Sequence, residues 1–313
     1  VGRQRELSAV QMGWASTPVV WLLGEPGLGK SRLIDELLHI DRDRGIGKLL
    51  LTQGRPGDAG VPYATLARLL RACLAAPATG TAAGLAGSHQ QQLARVLPEL
   101  APAVPLPPDG QRLLLQAAVQ QVLADAGAAL VALDDLHFAD DASVQMLGGL
   151  IGAGGARRWL LAQRPAEGGN ACAALLGALQ DDHAVTPVPL APLDTAAMAE
   201  LVDSLGLPGL DGQALAADLV RHTGGNPLYA LETLKARLLQ PAAASGGAMP
   251  RPASVGALIE RRLRQLSPAA LDLARVAALA GSDFDAELAE AVLGGPALAL
   301  AGPWAELEAA QVL

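Results

Sequence analysis

Short apolar runs separated by helical stretches organise residues 19–190. Val19-Val-Trp-Leu-Leu23 stops at Gly24, and residues 48–52, 129–133, 159–162 and 185–190 have a similar form. Runs this short, apolar on both faces, predict strands of a parallel sheet covered by helices on both sides. Apolar spacing between them predicts helices over 31–38, 63–74, 112–126 and 143–150. Strand and helix in alternation predict an α/β fold: a three-layer α/β/α parallel sheet.

After Pro192 the strand signal stops. Asp194 caps a helical pattern through residue 205, and Asp211 caps another through 222. Gly224-Gly225-Asn226-Pro227 ends that helix and opens the next, with proline in a first-turn position. Residues 240–252, rich in Ala, Gly, Ser and Pro, read as a linker. Helical patterns resume over 254–265 and, from Ser267-Pro268, to about residue 280. No repeat of fixed period is visible. The expected division is an α/β domain at 1–191 followed by helical regions at 192–245 and 246–313.

Composition narrows the class. The chain has 313 residues, 51% of them apolar and only 3% aromatic, so its core is built mainly of Ala, Leu and Val. A net charge of -8, with a pI near 5.1, argues against direct contact with nucleic acid, which calls for a basic stripe. Cys73 and Cys172 are too far apart in sequence to frame a disulfide scaffold or a zinc cluster. The charge-free stretch 72–94 is interrupted by Gly80, Gly84, His89 and three glutamines, so it predicts no membrane span. The opening Val1-Gly2-Arg3 carries no apolar leader, which predicts a cytoplasmic protein; it also lacks an initiator methionine, which predicts a piece of a longer chain.

The sharpest chemical signal is Gly24-Glu25-Pro26-Gly27-Leu28-Gly29-Lys30-Ser31, which fits G-x-x-x-x-G-K-[ST]. Glycines let such a loop turn its N–H groups inward around a phosphate chain, and the following helix presents its positive end. Lys30 would reach the β- and γ-phosphates of ATP, and the Ser31 hydroxyl would ligate Mg²⁺. Gly24 to Ser31 and the adjoining Arg32 are therefore the expected nucleotide contacts. With 35 glycines but few lysines, about 0.002 chance matches are expected in a chain of this composition. A second signal is the apolar run ending in Asp134-Asp135. Carboxylates at the C-terminal edge of a parallel sheet suit Asp134 to hold Mg²⁺ and Asp135 to orient or deprotonate a water. The plainer alternative is that Asp135 caps the next turn.

Four motifs then occur in order: Gly2-Arg3-x-x-Glu6-Leu7, the phosphate loop, Asp134-Asp-Leu-His-Phe-Ala-Asp140 and Thr223-Gly-Gly-Asn-Pro-Leu228. The chain resembles the signal-transduction ATPase module of the large LuxR-type transcriptional regulators, within the wider STAND and AAA-like ATPases. The resemblance implies that Val1, Gly2 and Arg3 lie at the adenine and that Arg164, after the fourth strand, senses the γ-phosphate. It implies too that 1–191 form the ATPase domain, 192–245 a helical lid whose Gly225, Asn226 and Pro227 close over ATP or ADP, and 246–313 a partial winged helix. The implied function is a nucleotide switch with slow ATP hydrolysis, in which Lys30, Asp135 and Arg164 serve catalysis. Its partners would be a sensor repeat array and a DNA-binding helix-turn-helix outside this chain, with self-association left open. The alternatives are an oligomeric AAA-type ATPase motor, or the ATPase module of a nucleotidyl cyclase fusion. Gln4 stands where Glu is common in the family, and Phe138 where Trp is usual.

Weaker signals carry plain readings beside the functional ones. Arg164 and Pro227 also suit a surface arginine and a helix starter. His137 suits packing better than general-base chemistry, and His222 suits the C-terminal end of its helix. Arg157 and Arg158 read as a solvated pair rather than as fingers acting in trans. Residues 266–279 resemble the start of a DNA-reading domain, but Glu306 and Glu308 follow where a basic recognition helix would be needed.

Overall fold

The computed structural model describes residues 1–75, 87–101, 111–165, 169–207, 210–239, 260, 263–264, 266–280, 284–294 and 297–309. The linker expected at 240–252 and most of the helical pattern at 254–265 lie outside them. The chain divides into two compact units, Arg3–Ala191 and a second made of Val1–Gly2 with Pro192–Leu313.

The first unit runs α1 (Gln4–Ser16), β1 (Val19–Leu23), α2 (Lys30–Asp43), β2 (Lys48–Gln53), α3 (Ala64–Leu74), α4 (Gly87–Leu93) and α5 (Gln111–Asp125). It continues with β3 (Ala128–Asp134), α6 (Asp141–Gly152), β4 (Arg158–Gln163), α7 (Asn170–Asp181) and β5 (Val185–Pro189). The strands form one parallel sheet in the order β2-β3-β4-β1-β5. This is the α/β/α architecture expected from the sequence.

Why the strands read as continuous apolar runs is visible in their alternation. Val19 and Trp21, Val131 and Leu133, and Trp159 and Leu161 enter one core with α3, α5, α6 and α7. Val20 and Leu22, Leu130 and Ala132, and Leu160 and Ala162 enter a second core with α1 and α2. Both faces are covered, so neither parity can be polar. Pro187 and Pro189 are tolerated because β5 is an edge strand, where a missing N–H breaks no inner ladder.

Helices α1, α4 and α7 are not among those that the apolar spacing predicts. Leu7, Val10 and Trp14 share one stripe of α1, as Cys172, Leu175 and Leu179 do in α7. Alanine and glycine around these positions flatten the contrast on which periodicity depends. Helix α2 outlasts its apolar pattern because buried Asp41 in its last turn pairs with Arg158 at 3.0 Å. Arg158 also lies over the Trp14 ring at 4.7 Å, and Arg157 donates to the carbonyl of Ala128. Arg158 opens β4 and Arg157 directly precedes it, at the opposite end of that strand from Arg164, and neither is the solvated residue that the sequence suggests.

Polar groups fasten the helices to the sheet edge. The Asp140 carboxylate accepts from the N–H groups of Tyr63 (2.6 Å), Thr65 (3.2 Å) and Ser143 (2.9 Å) and from the Ser143 hydroxyl (2.7 Å). It thereby caps α6 and holds Tyr63, the residue before α3, in a left-handed conformation with φ 64°. Asp58, next to it in the network, accepts from the Thr65 hydroxyl and from Arg68; burial pushes its carboxyl pKa up, but the hydrogen bonds, that of Arg68 foremost, outweigh it and hold the group below the usual range.

In the second unit, α8 (Thr195–Asp203), α9 (Gly212–Thr223) and α10 (Pro227–Leu239) share a core of Leu193, Met198, Val202, Leu219 and Leu234. Asp194 and Asp211 cap α8 and α9 as their positions in the sequence imply. Further on, α11 (Pro268–Ala280), α12 (Ala286–Leu293) and α13 (Ala297–Ala309) pack around Leu273, Ala289 and Leu307, with Phe284 stacked on Trp304. Ser267 caps α11 and donates to the carboxylate of Glu306, so that acidic residue serves a helix start. Among the described residues no helix is long and apolar enough to cross a membrane.

Two outcomes follow from the buried polar groups. Asp140→Ala strands three backbone N–H groups, those of Tyr63, Thr65 and Ser143, and is expected to lower unfolding free energy by about 3 kcal/mol in a denaturant titration. Burial pushes the thiols of Cys73 and Cys172 up to about 11 from 9.0. A raised thiol pKa stabilises the fold below pH 9 and is lost as pH rises towards 11. At about pH 8 neither thiol is expected to react with an aromatic disulfide reagent until the chain is denatured, when both do.

Candidate phosphate-binding site

The loop from Gly24 to Gly29 connects β1 to α2, and its shape is set by backbone dihedrals only glycine adopts without strain. Gly27 has φ 84° and Gly29, which precedes α2, has φ 92°. A side-chain carbon added at Gly29 would meet nothing within 4 Å, so conformation and not crowding selects glycine. The loop is braced at both ends. The Gly24 N–H donates to the carbonyl of Gln163 on β4 (3.3 Å), and the Arg3 guanidinium donates to the carbonyl of Leu28 (2.9 Å). Arg3 also pairs with Glu6 in the first turn of α1. In this unit Arg3 therefore supports the phosphate loop directly, while Val1 and Gly2 belong to the other unit, where the Gly2 N–H donates to Glu200 of α8.

Lys30 is 6% exposed and its ammonium donates to the carbonyls of Gly24 (2.5 Å) and Glu25 (3.1 Å). An ammonium has three donors, so one remains for a further acceptor. Burial lowers its pKa, and the nearby Arg164 guanidinium adds to that shift, while Asp135 and Asp134 oppose it. The next residue, Ser31, donates from its hydroxyl to Asp134 at 2.5 Å. Asp134 is buried at the end of β3, and burial raises its pKa against the pull of the Ser31 bond. A hydroxyl and a carboxylate in contact beside a phosphate loop form the all-oxygen donor set that suits Mg²⁺, and so fit the ion expected from the sequence.

Asp135 sits just beyond the strand with φ 48°, in the left-handed region. Three contacts hold it. Its N–H donates to the Asp134 carboxylate (2.8 Å), its own carboxylate accepts from the Gln53 amide at the end of β2 (2.8 Å), and Gly54 packs against its carbonyl. A side-chain carbon on Gly54 would lie 2.4 Å from that carbonyl oxygen, so glycine is required there for space. His137 is not poised as a base. Its side chain is buried against the Phe138 ring, 3.9 Å from Asp135.

The sheet edge thus brings together Gly24, Glu25, Lys30, Ser31, Asp134, Asp135 and Arg164. Glu25, Pro26 and Leu28 are loop residues, with Leu28 1% exposed and turned into the core, and Arg32 lies on the first turn of α2. Gln53, Gly54 and Gln163, buried at the end of β4, carry no signal in the sequence, and Phe138 carries only a departure from the family pattern. The paired-carboxylate motif draws the eye to its own strand, and nothing in a sequence reveals which strand end lies beside it.

A family described as the AAA ATPase domain matches residues 1–162. The chain belongs to that family. The match takes in α1, the phosphate loop, Asp134 and Asp135, and stops within β4 before Arg164. Solved structures with a similar fold include the Walker-type ATPase of Pyrococcus abyssi, at 15% identity and a TM-score of 0.57 over 98% of this chain and 89% of that one. Cdc6p from Pyrobaculum aerophilum is similar at 13% identity and a TM-score of 0.49, over 98% and 84% of the two chains. No curated protein matches the chain. At 15% identity the likeness to the Pyrococcus abyssi ATPase is one of fold.

Beyond the matched residues of this AAA ATPase, Gly225 and Asn226 have local work. Gly225, with φ 72°, comes within 2.4 Å of the Leu193 carbonyl oxygen if given a side-chain carbon, and its own carbonyl accepts from the Leu193 N–H. The Asn226 side chain accepts from the N–H groups of Leu228 and Tyr229, capping the helix that Pro227 opens.

Gly54→Ala is expected to displace Asp135. ATP turnover should fall about ten-fold or more while nucleotide affinity stays within about two-fold, as read by steady-state kinetics and equilibrium titration.

Proposed function

We propose that the chain is an ATP-binding regulatory switch with slow hydrolysis, acting within a LuxR-type transcriptional regulator on a DNA-binding domain outside these residues. The observation that carries the nucleotide half of this reading is the contact of Ser31 with Asp134 beside the buried Lys30, at the end of a strand-loop-helix unit. The regulatory half rests on the ordered motifs and the Gly-Asn-Pro turn.

In this mechanism the N–H groups of the phosphate loop, from Gly24 to Ser31 and Arg32, cradle the phosphates of ATP. Lys30 and Arg164 neutralise charge on the γ-phosphate, and Ser31 with Asp134 would hold Mg²⁺. That ion supplies further charge neutralisation to the phosphate oxygens. Asp135, kept in place by Gln53, orients the attacking water and accepts its proton as the bond to the γ-phosphate breaks. Val1, Gly2 and Arg3 line the adenine side, and Pro227 contributes from the helical lid. The division assumed is 1–191 for the ATPase domain, 192–245 for the lid and 246–313 for a partial winged helix. Loss of the γ-phosphate releases the contacts that favour one lid state, a population shift.

The test compares amide hydrogen exchange with ATP and with ADP, and assays nucleotide released by acid from the purified chain. Differential protection of 192–239, with ADP retained by the wild type and absent from Lys30→Ala, is the expected result. Equal protection by the two nucleotides overturns the switch. Assembly-dependent turnover of about 1 s⁻¹ or faster favours an AAA-type motor instead.

A further inference from the structure

The segment that follows Asp135 does more than end a strand. Leu136–Phe138 form a single 3-10 turn, closed by the N–H of Phe138 on the carbonyl of Asp135 (3.0 Å) and of Ala139 on Leu136 (3.0 Å). It is anchored at both sides: Leu136 is 1% exposed in the main core, and Asp140 is fixed by the four hydrogen bonds that tie it to Tyr63, Thr65 and Ser143. The turn therefore presents its side chains from a rigid base. His137 packs on Phe138 with ring centroids 4.1 Å apart and reaches Asp135 at 3.9 Å. On Phe138 lies the guanidinium of Arg164, its central carbon 5.6 Å from the ring centroid.

Arginine is a long side chain whose ordering costs rotamer entropy. An aromatic face under the guanidinium removes part of that cost in advance, because the planar cation stacks in a narrow range of orientations. Arg164 is close enough to Lys30 to disfavour its charge, so two cations share the site and need holding against mutual repulsion.

We propose that Phe138 is the positioning residue of Arg164, holding its guanidinium on the ring face so that it can discriminate a nucleoside triphosphate from a diphosphate. The inference rests on the assignment of Arg164 to the γ-phosphate and deepens it. One short turn then carries Asp135 at its start and the platform of Arg164 at its end. The carboxylate that handles water and the cation that reads phosphate charge are set by the same piece of backbone.

The test uses the full chain and measures ATP and ADP dissociation constants for the wild type, Phe138→Leu, Phe138→Trp, Arg164→Ala and the double variant Phe138→Leu/Arg164→Ala. Phe138→Leu is expected to weaken ATP about five-fold and leave ADP within about two-fold, while Phe138→Trp, with the stronger cation-binding face, keeps both constants. In the double variant the loss should equal that of Arg164→Ala alone, since the ring acts only through the guanidinium. The indole introduced by Phe138→Trp supplies a second readout: its fluorescence, taken against the wild type, should respond to ATP more than to ADP, and the difference should vanish when Arg164→Ala is added. Equal weakening of ATP and ADP by Phe138→Leu, or additive losses in the double variant, overturns the proposal in favour of a packing role. If Arg164→Ala itself leaves the ratio of ATP to ADP affinity unchanged, Arg164 is not the phosphate reader and the proposal falls with that assignment. Lys30→Ala binding ATP as the wild type does would instead sink the site as a whole.

Discussion

The parallel pairing of β4 with both β1 and β3 sets the geometry on which the site depends. With β4 between them, the strand that feeds the phosphate loop and the strand that ends in Asp134 are held two strand spacings apart, roughly 10 Å. That gap is bridged from α2, whose first turn carries Ser31 to Asp134. It also leaves the end of β4 between the loop and the carboxylates, so Gln163 and Arg164 emerge where phosphate chemistry would occur.

Burial on both faces makes this placement rigid. Trp21, Leu22, Leu130 and Leu160 are fully enclosed, so sliding a strand by one residue would exchange the two cores and force every side chain to repack. Rigid strands end in short, strained or crowded turns. Asp135 in a left-handed conformation, Gly54 against its carbonyl and the 3-10 turn carrying Phe138 lie within one neighbourhood. Strain of about 1 kcal/mol at Asp135 is offset by three contacts that fix where its carboxylate points.

Cationic groups need similar restraint. Lys30 is tied to two loop carbonyls and Arg164 to an aromatic face, which lets two like charges coexist in a partly buried site. Arg3 reinforces the loop from outside through Leu28, which gives the opening Gly-Arg segment a mechanical part in this unit. Buried Asp140 and Asp58 act as hubs that gather otherwise unpaired N–H groups of the segment before α3, and so stabilise the wall that supports Asp135.

By itself the sequence determined the class of fold, the strand positions within a residue or so, the phosphate loop and the carboxylate pair at the end of β3. These are local signals: apolar runs report two-sided burial, and a Gly-rich loop with Lys30 and Ser31 reports backbone geometry that neighbouring residues alone impose. Only the tertiary structure decided that Gln53 holds Asp135, that Gly54 must lack a side chain, that Arg3 grips Leu28 and that Phe138 carries Arg164. Each joins residues distant in the chain, and strand order, which periodicity does not encode, chooses which ends meet. The same reason explains Arg157 and Arg158, whose adjacency looks like a solvated pair until α1, α2 and β4 close around Arg158. Helices α1 and α7 stayed hidden for another reason: alanine and glycine contribute to packing through their small volume, which leaves little polar contrast to read, while α4 is too short and polar to show a period.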